Sequence, residues 1–181
     1  IKPLIFKILE KFPRVRIFVV DDNSPDGTAE VVQDLSRYYE NVRLVFRYKK
    51  EGMASAHLDA FARIIVDDKN EFILTMDADF SHHPEDLAKL LAHAEAHDVV
   101  IGSRYVSGGE VQNWNLMRRL INKSANIYAG LITGVPISDL TAGFVLYRRE
   151  ILARILQNLI KSEAYAYQIE MKYLAHRLGA R

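Results

Sequence analysis

The sequence predicts an α/β fold built on a mostly parallel sheet flanked by helices. Two observations carry that reading. Short runs rich in β-branched and aromatic residues alternate with longer amphipathic runs along the whole chain. Glycine and proline gather where one kind of run gives way to the other, as in "SPDGT", "VSGGE" and "TGVP". Alternation of this sort is the pattern of strand–helix units.

The elements follow in order. Residues 2–11 have helical spacing, and 16–21 form a strand that ends in Asp21 and Asp22. A tight turn at Pro25, Asp26 and Gly27 leads to a helix over 29–38, for which Ser24 or Thr28 supplies a cap. A strand at 43–47, a helix at 54–66 and a strand at 72–76 come next. His82 and His83 precede Pro84, which takes the first position of a helix over 85–97, so they read as residues of the helix start rather than as ligands. The rest is a strand at 99–103, a helix at 116–133, a strand at 144–148 and helices at 151–160 and 167–178. In the last of these, Tyr167, Met171 and Leu174 are spaced for core packing.

The 181 residues, about half of them apolar, suffice for one domain over 1–181. Both ends read as cuts: the chain opens on Ile1 inside a helical pattern and closes just past a helix's glycine stop. The expectation is a sheet lacking its first strand. There is no cysteine, hence no disulfide framework and no thiolate metal site, which fits a reducing compartment. No apolar run approaches the roughly 20 residues of a membrane span. Residues 1–100 carry 13 Lys/Arg against 18 Asp/Glu, and residues 101–181 carry 11 against 5. A first half suited to a cation and a second suited to an anion follow from that asymmetry. A nucleic-acid partner does not, since a duplex-binding chain is more often basic throughout.

The stretch "FILTMDADFSHHPEDL" joins a buried-looking strand to two acids. On an extended strand Asp77 and Asp79 would share a face, with Ala78 on the other. At the carboxyl end of a parallel strand such a pair calls for a hard divalent cation, Mg²⁺ or Mn²⁺, whose shell is completed by water and phosphate oxygens. Ser81 adds a hydroxyl beside it. Neither a GxGxxG nor a GxxxxGK[ST] motif is present, which argues against NAD and P-loop chemistry. In "NLMRRLINKSAN", Arg118 and Asn122 lie one turn apart on one helix face, with Arg119 and Lys123 on the adjacent stripe, a cationic grip for an anion.

The motifs "VVDDNSPDGT", "MDADFSHHPEDL", "IGSRYVSGG" and "SDLTAGFVLYRRE", in that order, resemble those of the dolichol-phosphate (polyprenol-phosphate) mannosyltransferases. These are inverting enzymes of glycosyltransferase family 2 with a Rossmann-like GT-A fold. The resemblance implies transfer of mannose from GDP-mannose to a dolichyl or polyprenyl phosphate, with Mg²⁺ or Mn²⁺, at the cytoplasmic face of a membrane. It implies that Val20 and Asp22 hold the nucleoside, that Asp77, Ala78 and Asp79 contact the donor, and that the metal sits on Asp77, Asp79 and the Ser81 position. Arg104 is then a contact of the donor or acceptor phosphate and, with Arg118, Arg119 and Asn122, part of the acceptor grip. Asp79, Arg104 and Arg118 are the catalytic candidates, and Asp139 helps shape the sugar or acceptor site. An anchoring subunit or further segment would hold such an enzyme at its membrane. A glucosyl relative and a non-catalytic nucleotide-sugar-binding fragment are the alternatives.

Overall fold

The computed structural model describes residues 1–67, 70–106 and 116–181. The chain divides into two compact units, Ile1–Lys69 with Ala78–Glu85, and Asn70–Asp77 with Asp86–Arg181.

In the first unit, helix α1 (Lys2–Lys11) precedes strand β1 (Ile17–Asp21), helix α2 (Thr28–Tyr38), strand β2 (Val42–Phe46) and helix α3 (Met53–Asp67). β1 and β2 pair in parallel, from Ile17 opposite Val42 to Asp21 opposite Phe46. Parallel neighbours need a crossover, and α2 provides it by laying Val32 and Leu35 into a core with Ile5 of α1 and Val42 of β2. Neither Ser24 nor Thr28 caps α2 through its side chain. Gly27, in the left-handed region at φ 78°, takes the cap position, and the Thr28 N–H donates to Asp26 Oδ1 at 3.1 Å. The 78–85 segment joins this unit: Lys7 lies over the Phe80 ring at 5.3 Å and Lys11 pairs with Glu85 at 3.5 Å.

The second unit holds β3 (Phe72–Thr75), α4 (Leu87–Ala94, reached through a 3₁₀ turn at Pro84–Asp86), β4 (Val99–Ile101), α5 (Leu116–Thr133), β5 (Val145–Arg148), α6 (Arg149–Ile155) and α7 (Ala164–Arg177). Its sheet runs β3-β5-β4, with β5 antiparallel to both neighbours. The parallel pairing read from the sequence thus holds for β1 with β2, while β3 and β4 meet through an inserted antiparallel strand. Val145, Leu146 and Tyr147 are at most 3% exposed, as befits a central strand covered on both faces. α6 buries Ile151, Leu152 and Ile155, and α7 buries Tyr167 and Met171 as its spacing predicts. α6 stops at Ile155, short of the expected 160, because the Asn158 side chain turns back onto the carbonyls of Arg154 and Ile155. β4 stops at Ile101 because the Ser103 N–H turns back onto the Ile101 carbonyl.

Candidate active site

In the first unit the parallel register brings the carboxyl ends of β1 and β2 side by side. Asp21 is buried and accepts the Ser24 N–H at 3.1 Å, closing the turn. Val20, half-buried, stands opposite Val45. Asp22 accepts Arg47 Nη1 at 3.0 Å, and Arg47 Nη2 donates to Glu51 at 3.0 Å and Ser55 Oγ at 2.6 Å. Arg47, itself buried, thus fixes the expected nucleoside contact Asp22. Sequence reasoning missed it, and the only available signal was its place one residue beyond β2.

The acids at 77 and 79 differ from expectation in one respect. β3 closes at Thr75, so strand alternation does not reach them, and Asp77, Ala78 and Asp79 are exposed rather than buried. The chain bends there because local bonding competes with the extended form. The Ser81 N–H donates to Asp79 Oδ1 at 2.9 Å, and Phe80 sits at φ 64°. Hydrogen bonds from the Ser81 side chain and backbone hold the Asp79 carboxyl below its ordinary value, so it is ionised at neutral pH. Among the described residues no three His, Cys, Asp or Glu side chains cluster as a cage. An ionised carboxylate beside a serine hydroxyl nevertheless fits a hard cation that takes few protein oxygens and fills its shell from water and phosphate.

The second unit assembles the other candidates. Arg104 follows β4 in a turn, and its backbone N–H and Nε donate to Asp139 Oδ2 at 3.0 and 2.8 Å, while Nη2 reaches Asp139 Oδ1 at 2.5 Å and Thr141 Oγ1 at 2.7 Å. Asp139 has no exposed surface, whereas the Arg104 side chain keeps 21%. Burial raises the pKa of Asp139, but hydrogen bonds from the Arg104 side chain and backbone, with its charge, outweigh that and leave it lowered. Asn122 on α5 accepts the Tyr105 hydroxyl at 2.6 Å and Asn126 Nδ2 at 3.1 Å, and Asn126 in turn binds Thr141. Arg104, Asn122 and Asp139 therefore meet in one network. Arg118 and Arg119 are exposed in the first turn of α5, Arg118 one turn from Asn122. Thr141, Asn126 and Tyr105 were not singled out from the sequence, although Asn126 repeats the Asn122 position one turn on. The glycine-rich end of the "IGSRYVSGG" motif, from 107 on, lies outside the described residues.

Residues 1–156 match the family described as Glycosyl transferase family 2. The chain belongs to that family. This glycosyltransferase is 40% identical, over 98% of its own length and 68% of the relative's, to the polyprenol monophosphomannose synthase of Mycolicibacterium smegmatis. It is 34% identical to the undecaprenyl-phosphate mannosyltransferase of Micrococcus luteus, over 97% of its own length and 72% of the relative's. As a member of family 2 it is an enzyme, with the α/β architecture of the GT-A class that its motifs implied.

Proposed function

We propose that this glycosyltransferase transfers mannose from GDP-mannose to a polyprenyl or dolichyl phosphate, with inversion and with Mg²⁺ or Mn²⁺, at the cytoplasmic face of a membrane. The observation that carries the reading is the composition of α5. Its first turns bear Arg118, Arg119, Asn122 and Lys123, while Leu116, Leu120, Ile121, Ile127, Leu131 and Ile132 are each more than half exposed. A cationic and polar cluster on a helix that also shows apolar side chains to its surroundings suits an anionic headgroup carried on a lipid tail. Among the described residues no helix is long and apolar enough to cross a membrane. The names of the two relatives support the same acceptor class.

The chemistry needs little from the protein beyond grip and orientation. A phosphate monoester is largely dianionic near neutral pH and attacks without a general base. One acceptor oxygen bonds to the anomeric carbon as that carbon's bond to the diphosphate breaks, and GDP leaves. Arg104, Arg118, Arg119 and Asn122 hold the acceptor phosphate, the Arg forks matching its oxygens. Val20 and Asp22 hold the nucleoside, and Asp77, Ala78 and Asp79 the sugar diphosphate. Asp77, Asp79 and Ser81 would hold the divalent ion, which offsets the charge of the departing diphosphate.

The test is formation of lipid-linked mannose from GDP-mannose and undecaprenyl phosphate in detergent, with Mg²⁺, with Mn²⁺ and with chelator. Turnover should need the ion, and Asp79→Ala should lower kcat by about 10²-fold or more. Unchanged turnover in chelator or in Asp79→Ala would remove the metal assignment. A preference for UDP-glucose in direct competition would move the enzyme to the glucosyl branch.

A further inference from the structure

We infer that Asp139 is a positioning residue that acts on the reaction only through Arg104, and that it is not itself a ligand of sugar or acceptor. The inference rests on the proposal that Arg104 grips a phosphate. A carboxylate offers about four lone-pair directions. Those of Asp139 are matched by four donors: the backbone N–H and Nε of Arg104 on Oδ2, and Arg104 Nη2 and the Thr141 hydroxyl, at 3.3 Å, on Oδ1. With no exposed surface, Asp139 has no route to a substrate.

The same contacts define the guanidinium. Its backbone N–H and its Nε–Nη2 edge both donate to one carboxylate, so Asp139 engages the root and the plane of the side chain together. Thr141 Oγ1 receives the same Nη2 and is tied to Asn126, 4% exposed, by Asn126 Nδ2 at 3.2 Å. The Thr141 N–H donates in turn to Asn126 Oδ1 at 3.2 Å. Asn126 belongs to α5, the helix that carries Arg118 and Asn122, so the network indexes the Arg104 turn to that helix. A fold needs no ion pair at such a place, since packed apolar residues commonly serve stability equally well. What a bidentate pair adds is direction: a fork aimed before the phosphate arrives, with its rotamers already restricted. The remaining exposure of Arg104 is what lets a held side chain still meet a ligand.

The experiment is a double-mutant cycle on Arg104→Ala and Asp139→Asn in the intact protein, reading kcat/KM for undecaprenyl phosphate, KM for GDP-mannose, and Tm. Asp139→Asn alone should lower kcat/KM for the lipid about 10- to 100-fold. In the Arg104→Ala background it should lower it no further, because the group it positions is gone. Multiplying losses would overturn the inference by giving Asp139 a substrate contact of its own. So would a loss that merely follows Tm, matched by an equally destabilised variant elsewhere in the unit. Thr141→Val, which keeps volume and removes only the hydroxyl, guards against an Asp139→Asn protein that fails to fold. It should show a smaller loss that likewise vanishes without Arg104, and persistence of that loss would count against the inference. Arg104→Ala with unchanged kinetics would instead overturn the placement of Arg104 at a phosphate.

Discussion

Replacing Gly102 by alanine should destabilise the second unit although it removes no polar contact. An ideal Cβ at that position stands 2.4 Å from Phe144 Cδ1 and 3.1 Å from its Cγ, where carbon atoms in contact keep about 3.5–4.0 Å. Phe144 is 4% exposed, so its ring has no room to swing aside. The backbones cannot separate cheaply either, since the Gly102 N–H donates to the Phe144 carbonyl at 2.8 Å. Overpacking of this kind costs about 1–3 kcal/mol, and each kcal/mol lowers Tm by about 2–4 °C in a chain of this size. The expected drop is therefore about 2–12 °C by calorimetry. Because Gly102 lies two residues before Arg104, kcat/KM for the lipid phosphate should fall with it. Adding Phe144→Leu makes room for the methyl group, so the double variant should lose less than the two singles together, by about 0.5–3 kcal/mol. Strictly additive losses, or a Gly102→Ala protein as stable as its parent, would refute the contact.

In the first unit, Arg47→Met strips a buried guanidinium from the partly buried Asp22 and the exposed Glu51 and should cost about 1–3 kcal/mol in urea unfolding, whereas Glu51→Gln, at a carboxylate 61% exposed, should cost under about 1 kcal/mol. Equal losses would show that burial does not rank these pairs. Lys172 is 1% exposed, its ammonium donating to the Ala142 carbonyl at 2.7 Å and to the Gln168 carbonyl and Oε1, and burial lowers its pKa to about 7. The unfolded lysine titrates near 10.4, so between those values the unfolded chain binds more protons and stability rises with pH, by up to about 1.4 kcal/mol per unit. Lys172→Met should abolish that rise in denaturation curves taken between pH 7 and 10, and an unaltered slope would mean that another group titrates.

The elements were legible because each repeats a local period: α1 and α5 fall on the residues their patterns mark, and the five strands among the described residues start within a residue of expectation. What stayed hidden depends on partners distant in sequence. A strand buried on both faces reads alike whichever way its neighbours run, so nothing in "VLYR" declares β5 antiparallel. The bend after Thr75 is a contest between β-tolerant residues and the Asp79–Ser81 hydrogen bond, which composition cannot score. Asp139 and Arg104 each stood out by chemistry, yet their bond spans 35 residues. Lys172 falls in a helical stripe beside Met171 where a charge would ordinarily reach for solvent, and its partner carbonyl at Ala142 is 30 residues away.

The insertion of β5 between β3 and β4 also sets an order of events during synthesis. β2 can meet β1 almost as soon as it is made, because their pairing closes only the span from Ile17 to Val42. Among the described strands, β3, whose Phe72 pairs with Arg148, and β4, whose Val99 pairs with Tyr147, meet their sheet neighbour only when β5 has been translated. At roughly 5–20 residues per second, the edges that β5 will take stand open on the nascent chain for seconds. Long-range pairing of this kind folds slowly and leaves sticky edges exposed. Among the described strands, β5 is thus the piece whose arrival ends the exposure of the β3 and β4 edges it pairs with, and with it their vulnerability to misassembly.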